Sequence, residues 1–160
     1  MKEQGLVLDL GCGPGKASAL MQKSGLRVDP IDASKEMVKL ANNLYDLKAR
    51  QAEFSDIHGE DIYDGVWANF SLLHAQKSEF KLHIKALHRI LKPNGFFNIG
   101  MKLGKGEKRD QIGRFYAYYT EIELTEILRN AGLDVCETYY GEEMGLIGSI
   151  EPWIMLRLTK

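Results

Sequence analysis

Three glycines, Gly11, Gly13 and Gly15, follow Asp9 within VLDLGCGPGKASAL, residues 7–20. A turn of this composition lets backbone approach a ligand closely, because no Cβ intervenes and positive φ is permitted. The spacing narrows the ligand. A dinucleotide fingerprint needs G-x-G-x-x-G, and Lys16 stands where its third glycine would be; the phosphate-cradling G-x-x-x-x-G-K-[ST] pattern is not met either. An anion at Asp9 would repel a pyrophosphate but attract an ammonium group, directly or through water. Asp32 lies roughly 20 residues beyond the loop, where a carboxylate accepts hydrogen bonds from the two hydroxyls of a ribose. Its plainer alternative is to cap the helix that follows, although Ser34 already supplies a cap. Together these residues ask for a ligand with a ribose and an amine and without phosphates.

Such residues need elements to hold them. Residues 5–10 are a compact apolar run ended by the glycines, and 16–23 carry Ala, Leu and Met without a breaker, which predicts strand then helix. A second run, 26–31, ends at Pro30, a residue awkward inside a central strand. Ser34 then caps a helix whose Met37, Val38, Ala41 and Leu44 share one face. Residues 49–54 are a third strand candidate, and GVWANF at 65–70, with its valine and two aromatics, is a fourth. Over 78–91, Phe80, Ile84, Leu87 and Leu91 recur at helical spacing until Lys92-Pro93-Asn94-Gly95 ends the helix. Residues 96–101 are a fifth strand, and no period is legible between 102 and 119. Thr120 and Glu123 make a T-x-x-E capping box ahead of Leu124, Ile127, Leu128 and Ala131, with Gly132 as terminator. Two last strands fall at 134–140 and 153–158. This alternation predicts an α/β, doubly wound, mostly parallel seven-stranded sheet with helices on both faces, whose ligand sits beyond the carboxyl ends of the strands where strand order reverses.

The 160 residues, 44% hydrophobic and 27% charged, fit one domain, 1–160. A net charge of −1 gives no field to gather nucleic acid, and the basic run KLGKGEKR at 102–109 lacks interleaved aromatics, so it reads as a solvated loop. Cys12 and Cys136 stand far apart, which suggests neither a disulfide framework nor a metal site and fits a reducing, cytoplasmic setting. His83 and His88 are five apart rather than the four of a helical zinc pair; they read as surface or boundary residues, and no metal is expected. No apolar run approaches the roughly 18 residues of a membrane span, and the N-terminus carries no signal-like apolar stretch, so no membrane partner is expected.

A ribose and an amine without phosphates describe S-adenosylmethionine. VLDLGCGPG (7–15), IDASKEMVKLA (31–41), YDGVWANFSLLH (63–74) and LKPNGFF (91–97) resemble, in order and spacing, the successive motifs of the Rossmann-like (class I) S-adenosylmethionine-dependent methyltransferases. GRFYAYYTEIELTEILRNAGLDV (113–135) and PWIMLRL (152–158) resemble a bacterial small-molecule branch of that superfamily, close to type 11, type 12 or tellurite-resistance-like proteins. The resemblance implies that Gly11, Cys12 and Gly13 pass under the cofactor, with Asp9 near its amino group and Asp32 on its ribose. It further implies Ala33 and Met37 along the adenine, Glu53 and Phe54 at the adenine edge, and Ala68 and Asn69 beside the methionine part. Met37 as plain helix core and Cys12 as a small filler are the simpler readings. Two departures stand out. Pro30 replaces a common glycine, and the first strand begins near residue 5, where relatives carry a preceding helical segment, so N-terminal helical cover is expected to be missing.

A sulfonium already makes its methyl group electrophilic, so the protein has to hold a nucleophile in line with the S–CH3 bond and exclude water. His74, just beyond the fourth strand, is the candidate to take a proton from that nucleophile; otherwise it packs its loop. By resemblance, relatives draw substrate contacts from the region of Arg114, Tyr116 and Tyr119, and an arginine among aromatics suits a small anion or a flat molecule. The competing expectation is that the tyrosines and Phe115 pack the sheet while Arg114 pairs with Asp110. The expected activity is methyl transfer from S-adenosylmethionine to a small-molecule acceptor. The alternatives are a non-catalytic S-adenosylmethionine-binding regulator and, disfavoured by Lys16 and Asp9, an NAD-dependent oxidoreductase. A homodimer would cover an open site.

Overall fold

In the computed structural model, which describes residues 4–144 and 150–160, the run LVLDL forms β1 (Leu6–Leu10) in the interior of a seven-stranded sheet. Strands buried on both faces read as continuous apolar runs, and four of its five residues are buried. Parallel β2 (Arg27–Asp32) and β3 (Arg50–Gln51) extend the sheet to one side, and parallel β4 (Tyr63–Asn69) and β5 (Leu91–Lys102) to the other. β8 (Asp134–Met144) and β9 (Ile150–Thr159) complete the order β3-β2-β1-β4-β5-β9-β8, with β9 antiparallel to both neighbours. The chain winds outward in one direction after β1 and in the other from β4, so the strand order reverses between those two.

Helices α1 (Lys16–Lys23) and α2 (Lys35–Tyr45) run beside β2 on one side. On the opposite face α3 (Lys77–Ile90) and α4 (Glu121–Asn130) pack Phe80, Ile84, Leu87, Leu124 and Leu128 against Val66, Ala68, Phe97 and Ile99 in one apolar cluster. Phe80, Ile84 and Leu87 are 0% exposed, so each contributes roughly 1.5–3 kcal/mol of burial. Alternation sends Gly65, Trp67, Phe96 and Asn98 to the α1 face. There Met21 borders an open groove of about 280 Å³ with them and Arg157, and no helix of the described residues covers it.

Several boundaries differ from expectation. Pro30 does not end its strand: β2 continues to Asp32 and Pro30 pairs with Asp9. Arg27 N–H donates to Gly5 O on the β1 side, so alternation turns position 30 toward β3, whose pairing begins only at Ile31, and no ladder bond is lost. The third strand is two residues long, and Phe54 belongs to a short 3-10 turn, Phe54–Asp56, opened by reciprocal Glu53–Asp56 capping. Phe70 lies outside β4 with φ 56. α3 ends at Ile90, and Leu91 already pairs with Tyr63, with an irregularity before Gly65 resumes the register. The stretch without a period holds an antiparallel hairpin, β6 (Glu107–Arg109) and β7 (Phe115–Ala117), so KLGKGEKR is not a loop throughout. Only half of the second capping box forms. Thr120 Oγ1 accepts from Glu123 N–H at 3.2 Å, but the Glu123 carboxylate pairs with Lys77 instead.

Candidate functional site

The glycine turn leaves β1 at the point where strand order reverses and is held from behind. Gly11 and Cys12 N–H both donate to Ile31 O at 2.9 Å, and Gly15 N–H donates to Cys12 O at 3.0 Å. Gly11 has φ +76, and a Cβ there would stand 2.4 Å from Ser71 Cβ, so the turn lies flush against the one following β4. Gly13 has φ +53 with nothing within 4 Å of a built Cβ, so its backbone faces open space. Asp32 ties this turn to α2: one carboxylate oxygen accepts Gly13 N–H and the other Ser34 N–H, both at 2.8 Å. Each oxygen keeps a second lone pair for a ligand.

A cavity of about 570 Å³ opens beside this carboxylate, within the range of small-molecule sites. Of the residues expected at a site, Gly11, Asp32, Ala33, Glu53, Phe54 and His74 border it. Phe70, Ser71, Glu79 and His83 border it as well and were not expected. Glu79 and His83 stand four apart on α3 and so share a face, a signal legible in the spacing. Burial lowers the pKa of His83, with the Glu79 charge opposing, and its ring lies 5.4 Å from Phe54.

The remaining expected residues lie around this cavity without bordering it. Asp9 is buried behind the turn, and its carboxylate accepts the Ser18 hydroxyl at 2.5 Å. Burial pushes this carboxyl up to about 6, against the Ser18 bond and with help from the Asp32 charge. The Cys12 thiol is pushed up to about 12 by burial and by the charges of Asp9 and Asp32, which leaves it a neutral filler. Met37 is half-buried on α2 and donates its N–H to the Ser34 cap, Ala68 is fully buried in β4, and Asn69 ends that strand.

Two buried polar atoms at the carboxyl end of β4, Asn69 Oδ1 and Ser71 Oγ, have no partner. Leaving such an atom unpaired costs about 1–3 kcal/mol; Ser71 borders the cavity, whereas Asn69 Oδ1 is packed against Gly100. Among the described residues, those bordering the cavity include three acids, Asp32, Glu53 and Glu79, and no Lys or Arg. This is an acceptor-rich set that suits hydroxyls, an ammonium group and a sulfonium rather than phosphates, so it fits S-adenosylmethionine.

A second cavity of about 340 Å³ shares Phe70 and His74 with the first and is bordered further by Leu73, Lys102, Arg114 and Tyr116. His74 Nδ1 lies 2.7 Å from Phe115 O. A carbonyl only accepts, so that nitrogen carries the proton, and in the neutral ring Nε2 keeps its lone pair. The imidazole ring also packs 4.9 Å from Tyr116. Arg114 pairs with Asp110 through Nε at 2.7 Å and Nη2 at 2.6 Å. Tyr119 borders neither cavity; it is 1% exposed, stacked on Phe80, with Lys77 above its ring.

A family profile described as a methyltransferase domain matches residues 7–95. An uncharacterized methyltransferase of Staphylococcus carnosus is 27% identical over 148 residues, 82% of this chain and 72% of that protein. Four further curated relatives match 56–57% of this chain, which spans 36–44% of their lengths. Among solved structures, a S-adenosylmethionine-dependent methyltransferase of Methanosarcina mazei superposes with a TM-score of 0.85 at 19% identity, over 100% of this chain and 94% of the other. The 1,6-didemethyltoxoflavin-N1-methyltransferase of Burkholderia thailandensis, solved with 1,6-didemethyltoxoflavin and S-adenosylhomocysteine, gives 0.79 at 24% identity, over 99% and 72%. At these identities the two structural likenesses speak for the fold.

Proposed function

The chain belongs to the Rossmann-like S-adenosylmethionine-dependent methyltransferases, and on that premise we propose that it transfers the methyl group to a small-molecule acceptor by in-line displacement. The observation that carries this reading is the shared wall. Phe70 and His74 border both the acceptor-rich cavity under the glycine turn and the second cavity, so two ligands in the two cavities would meet there.

S-adenosylmethionine supplies a methyl group on a sulfonium that needs no further activation. The chain's own residues bind and orient. Asp32 takes the ribose hydroxyls with its spare lone pairs. The backbone of Gly11, Cys12 and Gly13 lies under the methionine part, whose ammonium group has the Asp9 charge behind it, with Ala68 and Asn69 beside. Ala33, Met37, Glu53 and Phe54 flank the adenine. In the second cavity Arg114 and Tyr116 hold the acceptor, Phe70 and Leu73 exclude water, and His74 Nε2 receives the proton that an oxygen or nitrogen nucleophile loses.

Calorimetric titration of S-adenosylmethionine, S-adenosylhomocysteine and NAD into the wild type and Asp32→Ala tests the cofactor assignment. Binding of both sulfur nucleotides, none of NAD, and a loss of at least tenfold in the variant are expected. Wild-type affinity in Asp32→Ala would refute the ribose contact. Radiolabelled methyl transfer to a small-molecule library, run against protein and lipid acceptors, tests the acceptor class; label appearing only in macromolecules would overturn it.

A further inference from the structure

We infer that the acceptor is an anion, anchored through an acid group by Lys102 and Arg114 where both converge on the Tyr116 ring; this rests on the acceptor site proposed above. Lys102 Nζ lies 4.7 Å and the Arg114 guanidinium 5.4 Å from the centre of that ring, and Tyr116 is only 7% exposed. The two cavities differ in sign. Among the described residues, acids and no Lys or Arg border the first, while Lys102 and Arg114 border the second.

Both cations already have partners, but partners that leave donors over. Arg114 spends Nε and one Nη2 hydrogen on Asp110, and of its five N–H groups three remain. Lys102 gives one of its three hydrogens to Glu151. Glu151 is shared, because Lys108 Nζ also stands 3.9 Å from it, so one carboxylate faces two ammonium groups. The pairing fixes the direction of both cations without exhausting them, which is what an anchor for an incoming acid requires.

Burial decides how strongly each charge is felt. The Lys102 side chain is 12% exposed, so little water screens it. Glu143, the one acid bordering this cavity among the described residues, is exposed on β8, where solvent weakens its opposition. An acid group bound here would leave the rest of the molecule among Phe70, Leu73 and Tyr116, next to His74 Nε2.

The test uses the wild-type chain saturated with S-adenosylhomocysteine and titrated with benzoate, phenyl phosphate and the neutral benzamide. At least one acid probe is expected to bind tenfold or more tightly than benzamide; benzoate alone identifies a carboxylate, phenyl phosphate alone a phosphate monoester, and both together either acid. Lys102→Gln and Arg114→Gln are each expected to weaken the acid probe about tenfold, with S-adenosylhomocysteine binding as the check of folding. Where a variant does not fold, the comparison of the acid probes with benzamide on the wild type decides. Benzamide binding as tightly as the acids, or no acid binding at all, overturns the inference and leaves the cofactor assignment standing. Failure of S-adenosylhomocysteine to bind overturns both.

Discussion

The contact between Gly11 and Ser71 joins the two turns that frame the cofactor cavity, and its strength follows from geometry. Gly11→Ala introduces a methyl group 2.4 Å from Ser71 Cβ on backbone at φ +76. The left-handed backbone costs alanine about 1–2 kcal/mol, and forcing an extra methyl into a packed contact costs about 1–3 kcal/mol. Restricting the unfolded chain returns about 0.4–1 kcal/mol, so the expected loss is roughly 1–5 kcal/mol. The two components separate in a double-mutant cycle. Ser71→Gly removes the Cβ that the new methyl meets, so Gly11→Ala combined with Ser71→Gly recovers about 1–3 kcal/mol relative to the sum of the single changes and retains the backbone strain. Urea denaturation of the four proteins gives this coupling. Additivity within about 0.5 kcal/mol would refute the claim that the two turns touch.

Asp9 carries a pH signature. Burial raises its carboxyl from 3.8 to about 6, so its contribution to stability is full below 3.8 and is lost as pH rises through 6. At about 1.4 kcal/mol per pH unit the charged form costs roughly 3 kcal/mol at neutral pH. Asp9→Asn, which still accepts the Ser18 hydroxyl, is therefore expected to exceed the wild type by up to about 3 kcal/mol at pH 7.5 and to match it below pH 4; equal urea midpoints at pH 7.5 would remove the burial argument. His74→Gln is expected to slow methyl transfer by about 10²–10⁴-fold while S-adenosylhomocysteine still binds, and an unchanged single-turnover rate would exclude His74 as the proton acceptor. Iodoacetamide at pH 8 should label exposed Cys136 and spare Cys12, whose thiol stays neutral; mass spectrometry showing two adducts on the folded protein would contradict the burial of the turn.

The parts legible in the sequence are those governed by neighbours in the chain. The glycine turn, the Ser34 cap and the Phe80, Ile84 and Leu87 stripe rest on local spacing, and they stand where that spacing puts them. Contacts across distant segments were not legible. Pro30 sits inside β2 because β3 begins one residue later, a fact of register rather than of the run itself. The β6–β7 hairpin is three residues long on each side, too short for a period of two to stand out, and all three residues of its first strand are charged. His83 reaches the cavity because α3 sets its ring 5.4 Å from Phe54 of a distant segment, and no composition rule reports that approach. Lys102 reads as one base in a basic run until Tyr116 is brought over it from the far side of the hairpin.

The position of β9 shapes how the chain must come together. β8 is made before β9 yet is joined to the sheet only through it, since β9 lies between β5 and β8 and Phe96 pairs with Thr159. While the chain is still emerging during synthesis, β8 has no edge to join and the outer edge of β5 stands open. The sheet therefore closes only when β9 pairs with β5 across a long separation in sequence, the kind of contact that slows folding. Until then the apolar edge at Phe97, Ile99 and Met101 is the segment most open to pairing with another chain.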